Sequence, residues 1–154
     1  MVQASFQAEG VSRKLKDGSQ KMQKELRVAM KISVRDVQEE ARENHKFISR
    51  TGQAEGSIHT RVNGSGSHVE GTVFTALPHA VYQHEGTSAH TIVPRSKKVL
   101  RWTDGGQFVF AKRSQVSGIK VSGIKKDPFI YNALEKERPA IVSRFKKITD
   151  ALGG

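Results

Sequence analysis

Apolar and polar residues alternate at the start of the chain, where Ala4, Phe6 and Ala8 are separated by Ser5, Gln7 and Glu9. A period of two predicts a short half-buried strand, ended by Gly10. From Val11 the period lengthens. Leu15, Met22, Leu26, Met30, Val34, Val37 and Ala41 recur at helical spacing, which predicts one apolar stripe along a helix of roughly thirty residues. Lys21, Lys24, Arg27, Arg35, Glu39 and Arg42 take the opposite face, and Gly18 marks a break in the first turns. So long a helix exceeds what a small core can cover. Met30, Val34 and Val37 are therefore expected to pack partly on the chain's own sheet and partly on a neighbouring subunit.

After Arg50-Thr51-Gly52 turns the chain, Ile58, Thr60 and Val62 predict one face of a strand. Asn63-Gly64-Ser65-Gly66-Ser67 reads as a hairpin loop, with Val69, Gly71 and Val73 on the return strand. Ala80-Val81-Tyr82 and Thr91-Ile92-Val93 read as short strand-like pieces. Val99–Trp102 and Phe108–Phe110 pair across Thr103-Asp104-Gly105-Gly106, a strong turn signal. Phe108 and Phe110 share a face and, beside Trp102, read as core.

Asp127-Pro128 predicts a helix start, with a capping side chain and proline at the first helical position. Ile130, Leu134, Ile141, Phe145, Ile148 and Leu152 form its apolar stripe, and Pro139 predicts a kink or two shorter helices. The expected fold is α+β: one domain over residues 1–154, with an antiparallel sheet of about five or six strands. A long N-terminal helix and a C-terminal helix pack on one face of it.

Residues 116–125 read VSGIKVSGIK, five residues written twice. An odd repeat sends Val116 and Val121 to opposite faces of a strand, and its glycines and β-branched residues resist a helix. Residues 114–126 are therefore expected to form an arm or loop. The apolar Val116, Ile119, Val121 and Ile124 would await a partner subunit. A tolerated duplication in a surface loop is the alternative.

Composition narrows the function classes. The 154 residues include no cysteine, which excludes disulfides and thiolate metal sites. No apolar run is long enough to cross a bilayer, and MVQASFQAEG lacks a signal-peptide layout. The expectation is folding in a reducing cytoplasm. Net charge is +11, and residues 95–154 hold fourteen Lys/Arg against five Asp/Glu. That part is expected to face DNA or an acidic neighbour, with Lys112, Arg113, Lys120, Lys125 and Lys126 as its candidates.

Catalytic chemistry is hard to assemble from these residues. His84 and His90 miss the four-residue spacing of a zinc-protease helix, and Gly86 interrupts one. His79, His84, His90 and Glu85 on adjoining strands could hold zinc. The competing reading makes Glu85-Gly86-Thr87 a turn that binds backbone amides. No Ser/His/Asp set, paired-carboxylate motif or phosphate loop stands out, and no enzyme activity, cofactor or metal is expected. Aromatic and basic residues do not interleave along the chain as base-stacking platforms do. A small basic protein binding nucleic acid without sequence preference remains the alternative function.

The order of motifs resembles a known family. The pieces are Arg50-Thr51-Gly52 with Ser57-Ile58, then Ala80-Val81-Tyr82-Gln83-His84-Glu85-Gly86-Thr87, Ile92-Val93-Pro94 and Val99-Leu100-Arg101-Trp102. Asp127-Pro128-Phe129-Ile130-Tyr131-Asn132-Ala133-Leu134 closes the series. Together they resemble the tail-component family of tailed bacteriophages, the neck and tail-completion proteins of the head–tail junction. The resemblance implies a structural virion protein whose subunits form a ring, expected to be hexameric, between the portal-side connector and the tail tube. It also implies passive contact with packaged DNA and no membrane. In that light Tyr82, Glu85, Gly86 and Thr87 are a fold-defining turn. The doubled VSGIK departs from the family's simple glycine turn before the last helix.

Overall fold

The computed structural model describes residues 1–7, 20–65, 68–92, 99–112 and 119–151, and these form an α+β fold. Expectations for Ala8, Gly10, Leu15, Gly18, Gly66, Ser67, Val93, Pro94 and Leu152 lie outside the described residues. The chain divides into two compact units: Met1–Glu85 with Lys126–Gly154, and Gly86–Lys125.

The first unit holds β1 (Val2–Gln7), α1 (Gln20–Glu43), a single turn α2 (Gln53–Gly56), β2 (His59–Ser65), β3 (His68–Thr75), α3 (Pro78–Glu85) and α4 (Phe129–Asp150). Its antiparallel sheet has the order β1-β3-β2. The register sets Ala4 opposite Val73 and Thr60 opposite Val73 on the other edge. The alternating residues Val69, Gly71 and Val73 of β3 all turn inward, as their spacing predicts. Leu26, Met30, Val34, Val37 and Ala41 of α1 cover them, and Phe129, Ile130, Ala133, Ile141 and Phe145 of α4 complete the core. Gly71 is where α1 comes closest, because a Cβ there would run into the Met30 and Val34 side chains.

Polar contacts hold the two long helices together. Arg144 donates to Asp36 Oδ2 at 2.5 Å and to the buried Ser33 Oγ at 2.7 Å, and Lys136 meets Glu40 at 2.7 Å. Pro139 sits within α4, which runs as one helix rather than two.

The second unit holds β4 (His90–Ile92), β5 (Val99–Asp104), β6 (Gln107–Lys112) and β7 (Ile119–Val121). β5 pairs with β6 and β4 with β7, both antiparallel. Gly105 and Gly106, at φ 54° and 84°, make the tight β5–β6 turn. The strands thus fall into three small sheets instead of the one expected sheet. Alternation along a sequence reports which residues could pair, and it carries no information on which edges close.

Ala80-Val81-Tyr82 is helical and not strand-like. Pro78 starts the helix, and Ala80 and His84, four apart, bury one face. A three-residue apolar run does not separate the two periods. No helix among the described residues is long and apolar enough to cross a membrane.

Candidate functional site

Some of the segments that carry the resemblance, residues 50–52 with Ser57-Ile58, residues 80–85 and residues 127–134, lie in the first unit, whereas Gly86-Thr87, Ile92 and residues 99–102 belong to the second. Gly52, at φ 67°, turns the chain into α2, and Ile58 follows with no exposed surface. Gln38 and Arg42 of α1 both donate to the Ile58 carbonyl, at 2.6 and 2.9 Å, and Arg42 also reaches the Glu55 carbonyl at 3.1 Å. Ser57 Oγ lies 2.8 Å from the buried Thr75 Oγ1.

Next to these contacts the loop after α1 is fastened to the start of α4. Asp127 Oδ2 accepts from the backbone N–H of Lys46 at 2.5 Å and of Phe47 at 3.3 Å, while the Asp127 N–H donates to the Gln83 carbonyl. Asp127 was expected to cap α4. Its carboxylate is instead committed to the 46–47 amides, and Pro128 occupies the cap position without a side-chain hydrogen bond. Phe129, fully buried, meets Phe47 and His84 edge-on at 5.4 and 5.2 Å, and His84 also meets Tyr131 at 4.8 Å.

His84 therefore sits in an aromatic cage. It is 1 % exposed, and neither ring nitrogen has a hydrogen-bond partner among the described residues. Burial pushes its pKa below the usual histidine value, against the pull of Glu85 and Asp127. His79 and His90 are exposed, and no group of three or more potential ligands forms among the described residues. His45 and Glu55 pair at 3.0 Å. Burial raises the Glu55 pKa, but hydrogen bonds from Ser49 and its own backbone, with His45, more than offset that and hold it low.

The predicted interface residues divide. Met30, Val34 and Val37 are 0 %, 2 % and 0 % exposed, enclosed by the sheet and α4 of their own chain, and they offer no surface to a neighbour. The outward apolar residues of α1 are Val28 and Ile32, one turn apart. With Ala29 and Ile148 they line a shallow groove of about 480 Å³ rimmed by Lys24, Glu25 and Arg144. Their signal was in the sequence, as a second i, i+4 pair out of phase with the main stripe.

Val116 of the repeat, and Arg113 before it, lie outside the described residues. Ile119, Lys120 and Val121 form β7, opposite Ile92, Thr91 and His90. Ile124 exchanges hydrogen bonds with Thr87, both at 3.0 Å, one through the Thr87 hydroxyl. The second VSGIK copy is thus fastened at Val121 and Ile124, where an unanchored arm was expected. Backbone pairing does not require one buried side-chain face. Gly86, at φ 76°, follows the end of α3, to which Tyr82 and Glu85 belong as exposed residues, and the Thr87 hydroxyl accepts from the Ile124 N–H.

Lys120, Lys125 and Lys126 are exposed, and Lys112 pairs with Val99. Residues 86–125 carry eight Lys/Arg against one Asp. None of those whose exposure is described is buried. Phe108 and Phe110, expected as core, are each 63 % exposed, and Trp102 is 37 % exposed. The register sets Thr103 opposite Phe108 and Arg101 opposite Phe110, which puts Arg101 on the phenylalanine face and Trp102 with Val109 on the other. Arg101 lies 4.7 Å from the Phe108 ring centre. Counting parity outward from the Gly105-Gly106 turn would have found this arrangement in the sequence.

A groove of about 450 Å³ between α1 and β2 is lined by Lys31, Arg35, Arg42 and Arg61. Arg35 is paired with Glu39, Arg42 with backbone carbonyls, and Arg61 lies over Phe74. That leaves one uncommitted cation, a weak basis for an anion site.

Searches of family models, curated proteins and solved structures returned no match to this chain.

Proposed function

We propose that the protein is a structural component of the head–tail junction of a tailed bacteriophage, a neck, tail-completion or tail-terminator subunit that assembles into a ring around the DNA channel. The observation that carries this reading is the corner at Asp127. Several of the residues that give the resemblance help to close the first unit: Gly52 and Ile58 at the α2 turn, His84 against Phe129 and Tyr131, and Asp127 with Phe129 at the start of α4. A motif set used to build a scaffold supports a structural role over a catalytic one.

Two further features fit a ring. Val28 and Ile32 give the helical layer an outward apolar strip for a neighbouring copy. The excess of Lys/Arg suits a channel for DNA or an acidic adjacent protein. In this reading the partners are other copies of the chain, the portal-side connector and the tail tube, with DNA touched through its phosphates alone.

Removing the gene from a phage that carries it, then supplying it from a plasmid, tests the assignment. The expected result is separate filled heads and complete tails without the protein, and joined particles with it. Infectious, fully joined particles in its absence would overturn the reading.

A further inference from the structure

We propose that the Arg101–Phe108–Phe110 face of the β5–β6 hairpin is a stacking platform for single-stranded nucleic acid. The inference stands independently of the ring assignment. It begins from what the aromatic residues are not doing. Phe108 and Phe110 are each 63 % exposed, so they contribute to no core. Two large rings left in water on one face of a two-stranded hairpin contribute little burial to an element that is marginal on its own.

Their placement supplies a use. Phe108 and Phe110 are alternate residues of β6, which sets them roughly 7 Å apart on the same face. Arg101, directly across from Phe110, holds its guanidinium over Phe108 at 4.7 Å. The face thus carries two rings, with a charged plane lying over one of them. It belongs to a unit with eight Lys/Arg and one Asp.

A partner for this face must offer flat π-surfaces and negative charge in close succession. Single-stranded nucleic acid does so at every nucleotide, and aromatic rings beside cations are the general means of holding it. A duplex offers the charge but keeps its base faces covered by stacking. An acidic peptide offers charge without a flat group at each step. A lipid surface would draw Phe108 into the acyl region, and Arg101 would have to follow it at a high desolvation cost.

Fluorescence anisotropy on the full chain tests this, with labelled oligothymidylate of about sixteen nucleotides and a duplex of equal length at the same salt. The expected result is tighter binding of the single strand. Phe108→Leu and Phe110→Leu each weaken it by about fivefold or more, because they keep apolar bulk and lose the π-face. Phe108→Tyr and Phe110→Tyr keep the affinity, which separates stacking from simple folding of the hairpin. Arg101→Ala weakens binding and also flattens its salt dependence. Equal or better binding of the duplex would overturn the proposal, as would leucine variants that bind like the parent. So would phenylalanine-dependent binding to anionic phosphatidylserine vesicles, or phenylalanine-dependent self-association, without binding of the oligonucleotide.

Discussion

The carboxylate of Asp127 accepts the backbone N–H of Lys46 at 2.5 Å, joining two segments 81 residues apart. The same oxygen takes the Phe47 N–H, and Asp127 is only 4 % exposed. Asp127→Ala leaves two amides without their acceptor and is expected to destabilise the first unit by about 2–3 kcal/mol. Asp127→Asn keeps an acceptor oxygen and should lose less. Urea unfolding followed by circular dichroism checks both. An alanine variant as stable as the parent would mean that water replaces the carboxylate.

The closest approach of helix to sheet gives a second expectation. Met30 is fully buried over Gly71, and a Cβ at Gly71 would run into it. Gly71→Ala should cost about 1–3 kcal/mol through overpacking. Met30→Asp, an unpaired charge in the same place, should cost at least about 3–5 kcal/mol and leave little folded protein. Thermal melts order the two variants, and Met30→Asp should be the worse.

His84 makes stability depend on pH. Its folded pKa lies below the ordinary value of 6.5 because burial disfavours the charged ring. The unfolded chain therefore binds the proton more readily than the folded one. Stability is fully present above pH 6.5 and is lost as pH falls through the interval between 6.5 and the lower folded value. Glu85 and Asp127 oppose the shift and Lys126 adds to it. His84→Leu should flatten the dependence between pH 7.5 and 5.5, measured as urea midpoints. An unchanged slope would place the acid sensitivity elsewhere.

Val28 and Ile32 separate assembly from folding. Both are exposed, at 54 % and 44 %, so Val28→Asp with Ile32→Asp should leave the monomer's stability within about 0.5 kcal/mol. The same pair should abolish ring formation, read by sedimentation and negative-stain microscopy. Rings of normal size from the double variant would move the subunit contact to another surface.

Much of the first unit was legible in the sequence because its elements are long and each buries one face. The recurrence of Leu26, Met30, Val34, Val37 and Ala41 at spacings of three and four, and the alternation at Val69, Gly71 and Val73, appear in the fold as read. The use of the stripe was misjudged, because the chain's own core encloses Met30, Val34 and Val37 and a helix pattern does not name the element that will cover it. The α3 segment failed for shortness: its second anchor, His84, is polar by type and buried by tertiary contact with Phe129 and Tyr131. Asp127 was recognised as special on local grounds, yet its partners lie 80 and 81 residues away, a distance that no local rule spans. In the second unit the hairpin was legible from Gly105-Gly106. Its exposure was not, since Phe108 and Phe110 carry the composition of a core without being buried in one.

The central claim is a place in a particle, and cryo-electron microscopy of the phage that carries the gene tests it most directly. Localised reconstruction of the head–tail junction should reveal a ring of copies whose density fits α1 and α4 flanking the three-stranded sheet, between connector and tail tube. A fusion tag at the chain's C-terminus should add density at that ring and nowhere else. Particles whose junction is fully accounted for by other proteins, with the tagged chain absent from purified virions, would contradict the account.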